Sequence, residues 1–317
     1  MMILGIIIGV IIFFMLIGAI LHATYYKDKF EQIKPYGSLV DVNDGKMHFY
    51  SMGKGEKTIV LLPGMGVSLP SAEFGPLMRK LGEKYSVVCV EYFGVGFSSQ
   101  TSKPRTCENY IEETRTILDR AGFKAPFVLM PHSISSVFSE YYATKYPEDV
   151  EAIISLDGTS TSYYDEMPGF VKYLLGVAKF QQAIGVTSVV GSLTTNRNYL
   201  LSNGYTEKEI DNMVAFAGFA INNNVLEQIS NSADYIKQTM DFPYPASVPY
   251  FKVISRYTYE TPNKQIKITP QDYQNQHLAR IGHQAKYEIL DGNHFIYLNN
   301  AGRIAGIVDE VLVKEKQ

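Results

Sequence analysis

Six short apolar runs, spaced along residues 58–290, most constrain what this chain can fold into. Thr58–Leu62, Ser86–Val90, Phe127–Met130, Ala152–Leu156, Tyr250–Ser255 and Tyr287–Leu290 each read as a strand. The segments between several of them have helical periodicity. In Cys107–Ala121, for example, Tyr110, Ile111, Thr114, Ile117 and Leu118 share one face. Strands that alternate with helices pair in parallel through crossovers. The pattern therefore predicts an α/β protein with a mostly parallel sheet and helices on both faces. A chain of 317 residues is long enough for one sizeable core plus an insertion. No internal repeat is visible.

The third run leads into Leu129-Met130-Pro131-His132-Ser133-Ile134-Ser135-Ser136. Residues from Ser136 to Ala143 then read as an amphipathic helix that ends near Tyr146-Pro147. A serine on a sharp strand-to-helix turn exposes its hydroxyl, and the helix N-terminus behind it favours negative charge. The usual pattern for such an elbow is G-x-S-x-G, and here Pro131 and Ser135 replace both glycines. Serines at such turns also simply cap helices. Other runs end in distinctive turns as well: Leu62-Pro63-Gly64-Met65-Gly66, Glu91-Tyr92-Phe93-Gly94-Val95-Gly96-Phe97-Ser98 and Asp291-Gly292-Asn293-His294. His294 follows the last strand, which places it at the same sheet edge as Ser133. A serine hydroxyl is a weak nucleophile near neutral pH and needs such a neighbouring base.

In this order the motifs resemble the alpha/beta-hydrolase fold family, from about Val40 to the C-terminus. Asp44–Tyr50 followed by Gly53-Lys54-Gly55 looks like the family's first hairpin. Leu62–Gly66 sits where the family has His-Gly-x-Gly, and Glu91 to Ser98 resembles its D-x-x-G-x-G-x-S loop with Glu for Asp. The resemblance implies Ser133 as nucleophile and His294 as base. It nominates the backbone amides of Met65 and Ile134 as the donors for an oxyanion. It leaves Glu91 a structural role, holding the loop after its strand. The acid that orients His294 stays open. The family usually carries it after the seventh strand, where Glu260 is the nearest carboxylate. Some lipase-like members carry it after the sixth, where Asp157 stands. The resemblance also implies that an insertion after the sixth strand caps the site. Strand–helix alternation does stop between Thr161 and Pro245, where Phe170–Ile184, Thr206–Phe219 and Asn223–Thr239 read as helices. Thr206 and Glu209 have capping-box spacing.

The N-terminus is of another kind. Met2 to Leu21 is a nearly unbroken Ile/Leu/Val/Phe/Met run, and about 20 such residues span a bilayer as a helix. A cleaved signal peptide would want a basic start and a shorter apolar stretch, and neither is present. The expected organisation is a transmembrane anchor over residues 1–24 and a connector over 25–37. The hydrolase core then covers 38–160 and 246–317, with a helical cap over 161–245. Lys27, Lys29 and Lys34 follow the span, which favours a single-pass protein whose catalytic part is cytoplasmic.

The net charge of −3, without a basic stripe, speaks against nucleic acid as a partner. Cys89 and Cys107 lack metal-ligand spacing, and nothing requires them to pair. The expectation is a membrane-anchored serine hydrolase that acts on a small acyl substrate, an apolar or lipid-like ester above all, and needs no cofactor. Thioesters and amides are open to the same chemistry. A small-peptide peptidase, a non-catalytic ligand-binding protein on the same fold and a bilayer-tethered interaction protein are the alternatives.

Overall fold

The computed structural model describes residues 2–164, 166, 169–263 and 266–313. Among them, eight strands form one sheet. They are β1 (Ser38–Val42), β2 (Gly45–Met52), β3 (Thr58–Leu62), β4 (Ser86–Glu91), β5 (Phe127–Pro131), β6 (Val150–Leu156), β7 (Tyr250–Ser255) and β8 (Ala285–Leu290). Their order is β1-β2-β4-β3-β5-β6-β7-β8. β2 runs antiparallel to both its neighbours, and every other pairing is parallel. All six strands read from the sequence are present, within two residues of the expected ends. β3 and β5 are buried along their whole length, which is why they read as unbroken apolar runs.

Helices cover both faces. On one, Ile111 and Leu118 of the Cys107–Arg120 helix and Val137 and Phe138 of the Ser135–Lys145 helix pack on Val60, Val88 and Leu129. On the other, Leu77 and Leu81 of Gly75–Leu81 and Ile304 and Val308 of Tyr297–Val313 pack on Ile59, Val128 and Ile154. Each such aliphatic side chain contributes about 1.5–3 kcal/mol on full burial. The chain steps outward from β3 to β4, then returns past β3 to β5 and continues the other way. The carboxyl ends of β3 and β5 thus flank the point where the direction of winding reverses, the usual place for a site in a parallel sheet.

Three readings change in detail. The helix after Ser133 is not amphipathic: residues 135–143 are all buried, because it lies between the Cys107–Arg120 and Ser232–Met240 helices. The single helix expected over Asn223–Thr239 is two, Asn223–Ser230 and Ser232–Met240. They break at Asn231 (φ −95°, ψ 6°), whose side-chain amide donates to the Arg105 carbonyl at 3.3 Å. The N-terminal helix does not stop at the expected connector. Met2–Leu21 continues through a π-helical turn, His22–Tyr26, into Lys27–Glu31.

Among the described residues, six helices lie between β6 and β7: Gly169–Ala183, Val186–Thr194, Arg197–Ser202, Glu207–Ala217, Asn223–Ser230 and Ser232–Met240. The capping box of Thr206 and Glu209 is formed in both directions. Side chains of the Phe170 end of the first helix lie outside the described residues. Met2–Leu21 has no buried residue, and the continuous helix to Glu31 is long and apolar enough to cross a membrane.

Candidate active site

Ser133 sits past the end of β5 with a φ of 54°, a left-handed backbone that non-glycine residues rarely adopt. The turn is held from both sides. The His132 amide donates to the Leu62 carbonyl at 2.9 Å, and the Ser133 amide donates to the Leu156 carbonyl at 3.2 Å. The elbow is thereby stitched to the ends of β3 and β6. The second of its missing glycines has a local replacement. Ser135 is fully buried, donates its hydroxyl to the Pro63 carbonyl at 2.5 Å, and lies 3.0 Å from the Tyr92 hydroxyl. A polar residue at that position therefore ties the helix to the Gly64–Gly66 turn. Gly64 faces the elbow closely, for a Cβ there would lie 2.4 Å from His132 Nδ1 and 2.8 Å from Ser133 Cβ.

His294 enters from beyond β8. Its Nε2 lies 2.9 Å from Ser133 Oγ, and its Nδ1 lies 2.7 Å from Asp157 Oδ2. Asp157 follows β6 at a φ of 46°, and its amide donates to the Val253 carbonyl at 2.7 Å. Its side chain is buried. The Ser255 amide donates to Oδ1 at 2.8 Å, while the Ser255 and Thr258 hydroxyls approach Oδ2 at 3.0 and 2.6 Å. Such donors hold a carboxylate in one orientation. With Asp157 accepting from Nδ1–H, Nε2 carries the free lone pair and faces the Ser133 hydroxyl.

Glu260 is elsewhere. It is exposed on the Arg256–Glu260 helix and pairs with Arg256 Nη1 at 3.1 Å. Of the two acids the sequence left open, Asp157 is the one brought to His294. The sequence reading missed Ser255 and Thr258. Their signal is a Ser-x-x-Thr that starts on the last residue of β7, in the segment that lacks an Asp. It also gave His132 no role. His132 is fully buried and bonds through Nε2 to the His294 carbonyl at 2.9 Å, so it donates there and stays neutral. Burial pushes its pKa down to about 3, and the neighbouring His294 adds to the shift.

The amides of Met65 and Ile134 donate no hydrogen bond among the described residues. Glu91 holds the neighbouring loop, as expected. Its carboxylate accepts from the Phe97 amide at 2.7 Å and the Ser71 amide at 3.1 Å, and His48 Nδ1 lies 3.0 Å away. A Cβ on Gly96 would overlap that carboxylate. Cys89 and Cys107 are free and buried. A cavity of about 500 Å³ opens on the acid side, lined by Tyr257, Thr258, Ile266, Ile268 and Tyr273 among others. A second, of about 270 Å³, lies beside Gly66 and is walled by Phe30, Phe216 and Phe219.

The chain belongs to the alpha/beta hydrolase fold family, whose family model matches residues 57–301. It is 28% identical over 286 residues to YbdG of Bacillus subtilis (strain 168), an uncharacterized protein, covering 89% of this chain and 87% of that one. Its fold is similar to that of an esterase from Thermogutta terrifontis, with a TM-score of 0.65 and 16% identity over 88% of this chain and 99% of that one. It is likewise similar to epoxide hydrolase VrEH1 from Vigna radiata, with a TM-score of 0.66 and 17% identity over 90% and 99%.

Proposed function

We propose that this chain is a membrane-anchored serine hydrolase that cleaves a carboxylic ester through an acyl-enzyme. The observation that carries the reading is the continuous row Ser133 Oγ–His294 Nε2 and His294 Nδ1–Asp157 Oδ2, at 2.9 and 2.7 Å. Ser133 is the nucleophile. Its Oγ attacks the ester carbonyl carbon as the hydroxyl proton passes to His294 Nε2. The oxyanion takes hydrogen bonds from the amides of Met65 and Ile134. Collapse breaks the ester C–O bond, and Nε2 returns the proton to the departing alcohol. Water then repeats the sequence: it loses a proton to Nε2, attacks the acyl carbon and releases the acid, and Ser133 regains its proton. Asp157 keeps Nδ1 protonated and stabilises the imidazolium throughout. The helices of residues 169–240 act as the cap.

An apolar acyl substrate suits this arrangement, because the exposed apolar Met2–Leu21 helix would hold the site beside lipid. The cavity bordering Thr258 offers room for one arm of the ester. The test is a fluorophosphonate probe with a short-chain aryl ester assay. The wild-type chain is expected to label at Ser133 and to hydrolyse the ester. Ser133→Ala should lose labelling and about 10²–10⁴-fold or more of the rate. Labelling that persists in the variant, or a loss under about tenfold, rejects the assignment.

A further inference from the structure

The Gly169–Ala183 and Val186–Thr194 helices carry a broad apolar face that no described residue covers. Tyr173 is 75% and Leu193 80% exposed, and Leu174, Phe180 and Val190 are exposed with them. The opposite side of the second helix is packed, with Ser188 buried and Thr187 Oγ1 donating to the Gly218 carbonyl at 3.3 Å. Residues 169–194 contain no Asp or Glu, and their charges are Lys172 and Lys179. A water-facing surface of that size and composition is unusual in a soluble domain.

The position of this hairpin relative to the N-terminal helix says what covers it. The two helices bend by 83° around Ile184 and Gly185. That corner rests on Gly18 of the N-terminal helix, backbone against backbone. A Cβ on Gly18 would overlap the Ile184 carbonyl, and a Cβ on Gly185 (φ 75°) would lie 2.6 Å from the Gly18 carbonyl. Small residues allow helices this approach. Further along, His22 Nδ1 lies 3.2 Å from Ser188 Oγ, and the His22 ring stacks on Phe219 at 4.3 Å. Gly18 is one turn inside the apolar run that ends at Leu21. At about 1.5 Å per residue, the corner is therefore about 4–5 Å below the end of the span. Amphipathic helices seated in a bilayer interface lie at a depth of about 5–10 Å.

We infer that the Gly169–Thr194 hairpin is a second membrane-binding element, seated in the interface of the lipid bilayer beside the N-terminal helix. The inference rests on the reading of Met2–Leu21 as an anchor. The hairpin then fixes the orientation of the whole fold on the membrane, with Lys179 at headgroup level. Its consequence for the site is geometric. The helices between β6 and β7 become the part of the hydrolase that meets lipid, so an acyl substrate can pass to them from the leaflet.

The test uses the full chain in vesicles of phosphatidylcholine and phosphatidylglycerol. An environment-sensitive fluorophore is attached through Leu193→Cys or Tyr173→Cys, both highly exposed positions that tolerate a label. Ile8→Cys reports on the anchor. Lys54→Cys, in the turn before β3 at the far end of the sheet, reports on water. Labels at 193 and 173 are expected to brighten at least twofold over the Lys54 label. They should be quenched by lipids brominated high on the acyl chain, and the Ile8 label by lipids brominated deep. Labels at 193 and 173 that behave like Lys54, with Ile8 quenched, overturn the hairpin proposal and leave the anchor. Bright but unquenched labels would mean that a second copy covers the face, which also overturns it. An unquenched Ile8 label removes the anchor reading, and quenching at 193 would then stand as interfacial binding alone.

Discussion

Asp157 shows how far single residues decide this site. Its Oδ1 takes the Ser255 amide, and its Oδ2 faces the Ser255 and Thr258 hydroxyls and His294 Nδ1. In Asp157→Asn, the amide oxygen stays with the Ser255 backbone N–H, which can only donate, so the NH₂ takes the Oδ2 position and points at His294. Nδ1 then becomes the acceptor, and the proton moves to Nε2, where it can no longer receive one from Ser133. The expected result is a kcat about 10²–10⁴-fold lower with little change in KM. Glu260→Gln should stay near wild type, since it loses only an exposed pair with Arg256. Full activity in the Asp157 variant would mean that something other than this carboxylate orients the histidine. Gly64→Ala probes the other side of the elbow. Its new methyl would press on His132 and Ser133, and esterase activity should fall at least about tenfold while the protein still melts cooperatively. Ser133 and His294 are legible in the sequence because each follows a strand and its own turn. The acid is not legible, because two strand ends offer a carboxylate and only three-dimensional proximity separates them.

At the scale of elements, the strands were readable and the helices less so, for one reason. Strands buried on both faces become continuous apolar runs bounded by turns, and β3 and β7 are found at the expected residues. Helix Val186–Thr194 is rich in Val, Thr, Ser and Gly, which have weak helical preference, and it passed unread. Helical periodicity runs on through Asn231, so the break there is invisible without Arg105. The N-terminal segment illustrates the opposite case. Its polar composition suggests a connector, yet Phe30 packs at 4.7 Å from both Phe216 and Phe219. The Asn212 side-chain amide also donates to the Tyr36 hydroxyl at 2.6 Å. A chain beginning at Lys27 keeps these contacts but loses those of Gly18 and His22 with the hairpin, whose apolar face stays exposed, so it should fold in mild detergent. A chain beginning at Ser38 uncovers the Phe216 cluster. Losing Phe30 and Ile33 should cost it about 2–4 kcal/mol, from about 1.5–3 kcal/mol per fully buried side chain and their partial burial. Urea titration of the two chains checks this, and equal midpoints would show that residues 27–37 carry no packing energy.

At the scale of the whole molecule, buried titratable groups set how stability follows pH. His132 and His277 are fully buried, and desolvation pushes their pKa values down from 6.5 to about 3 and about 4. His277 lies between Lys252 Nζ at 2.6 Å and Glu140 Oε1 at 2.8 Å, in a sealed row that no proton enters cheaply. In the unfolded chain both histidines charge as pH falls through 6.5, whereas in the fold they stay neutral. The unfolded state then binds more protons, so stability present above about pH 6.5 is lost toward pH 4. Glu73 works the other way. Burial raises it from 4.5 to about 7, so the fold holds its proton first and gains stability as pH falls from 7 to 4.5. Glu113 shifts in the same direction, burial outweighing its contact with Arg105. Two histidine protons against at least one carboxyl proton leave a net of no more than about one near pH 5. Stability should therefore peak near pH 7 and decline toward pH 5 with a slope of up to about 1.4 kcal/mol per pH unit. In His277→Gln one of the opposing protons is gone, and the same decline should become nearly flat, even though the variant starts from a lower stability. Urea titrations at pH 7, 6 and 5 on the chain beginning at Lys27 measure both slopes without the apolar Met2–Leu21 helix. An unchanged slope in the variant would show that His277 takes up its proton in the fold as readily as in the unfolded chain, and that Lys252 and Glu140 do not keep it neutral.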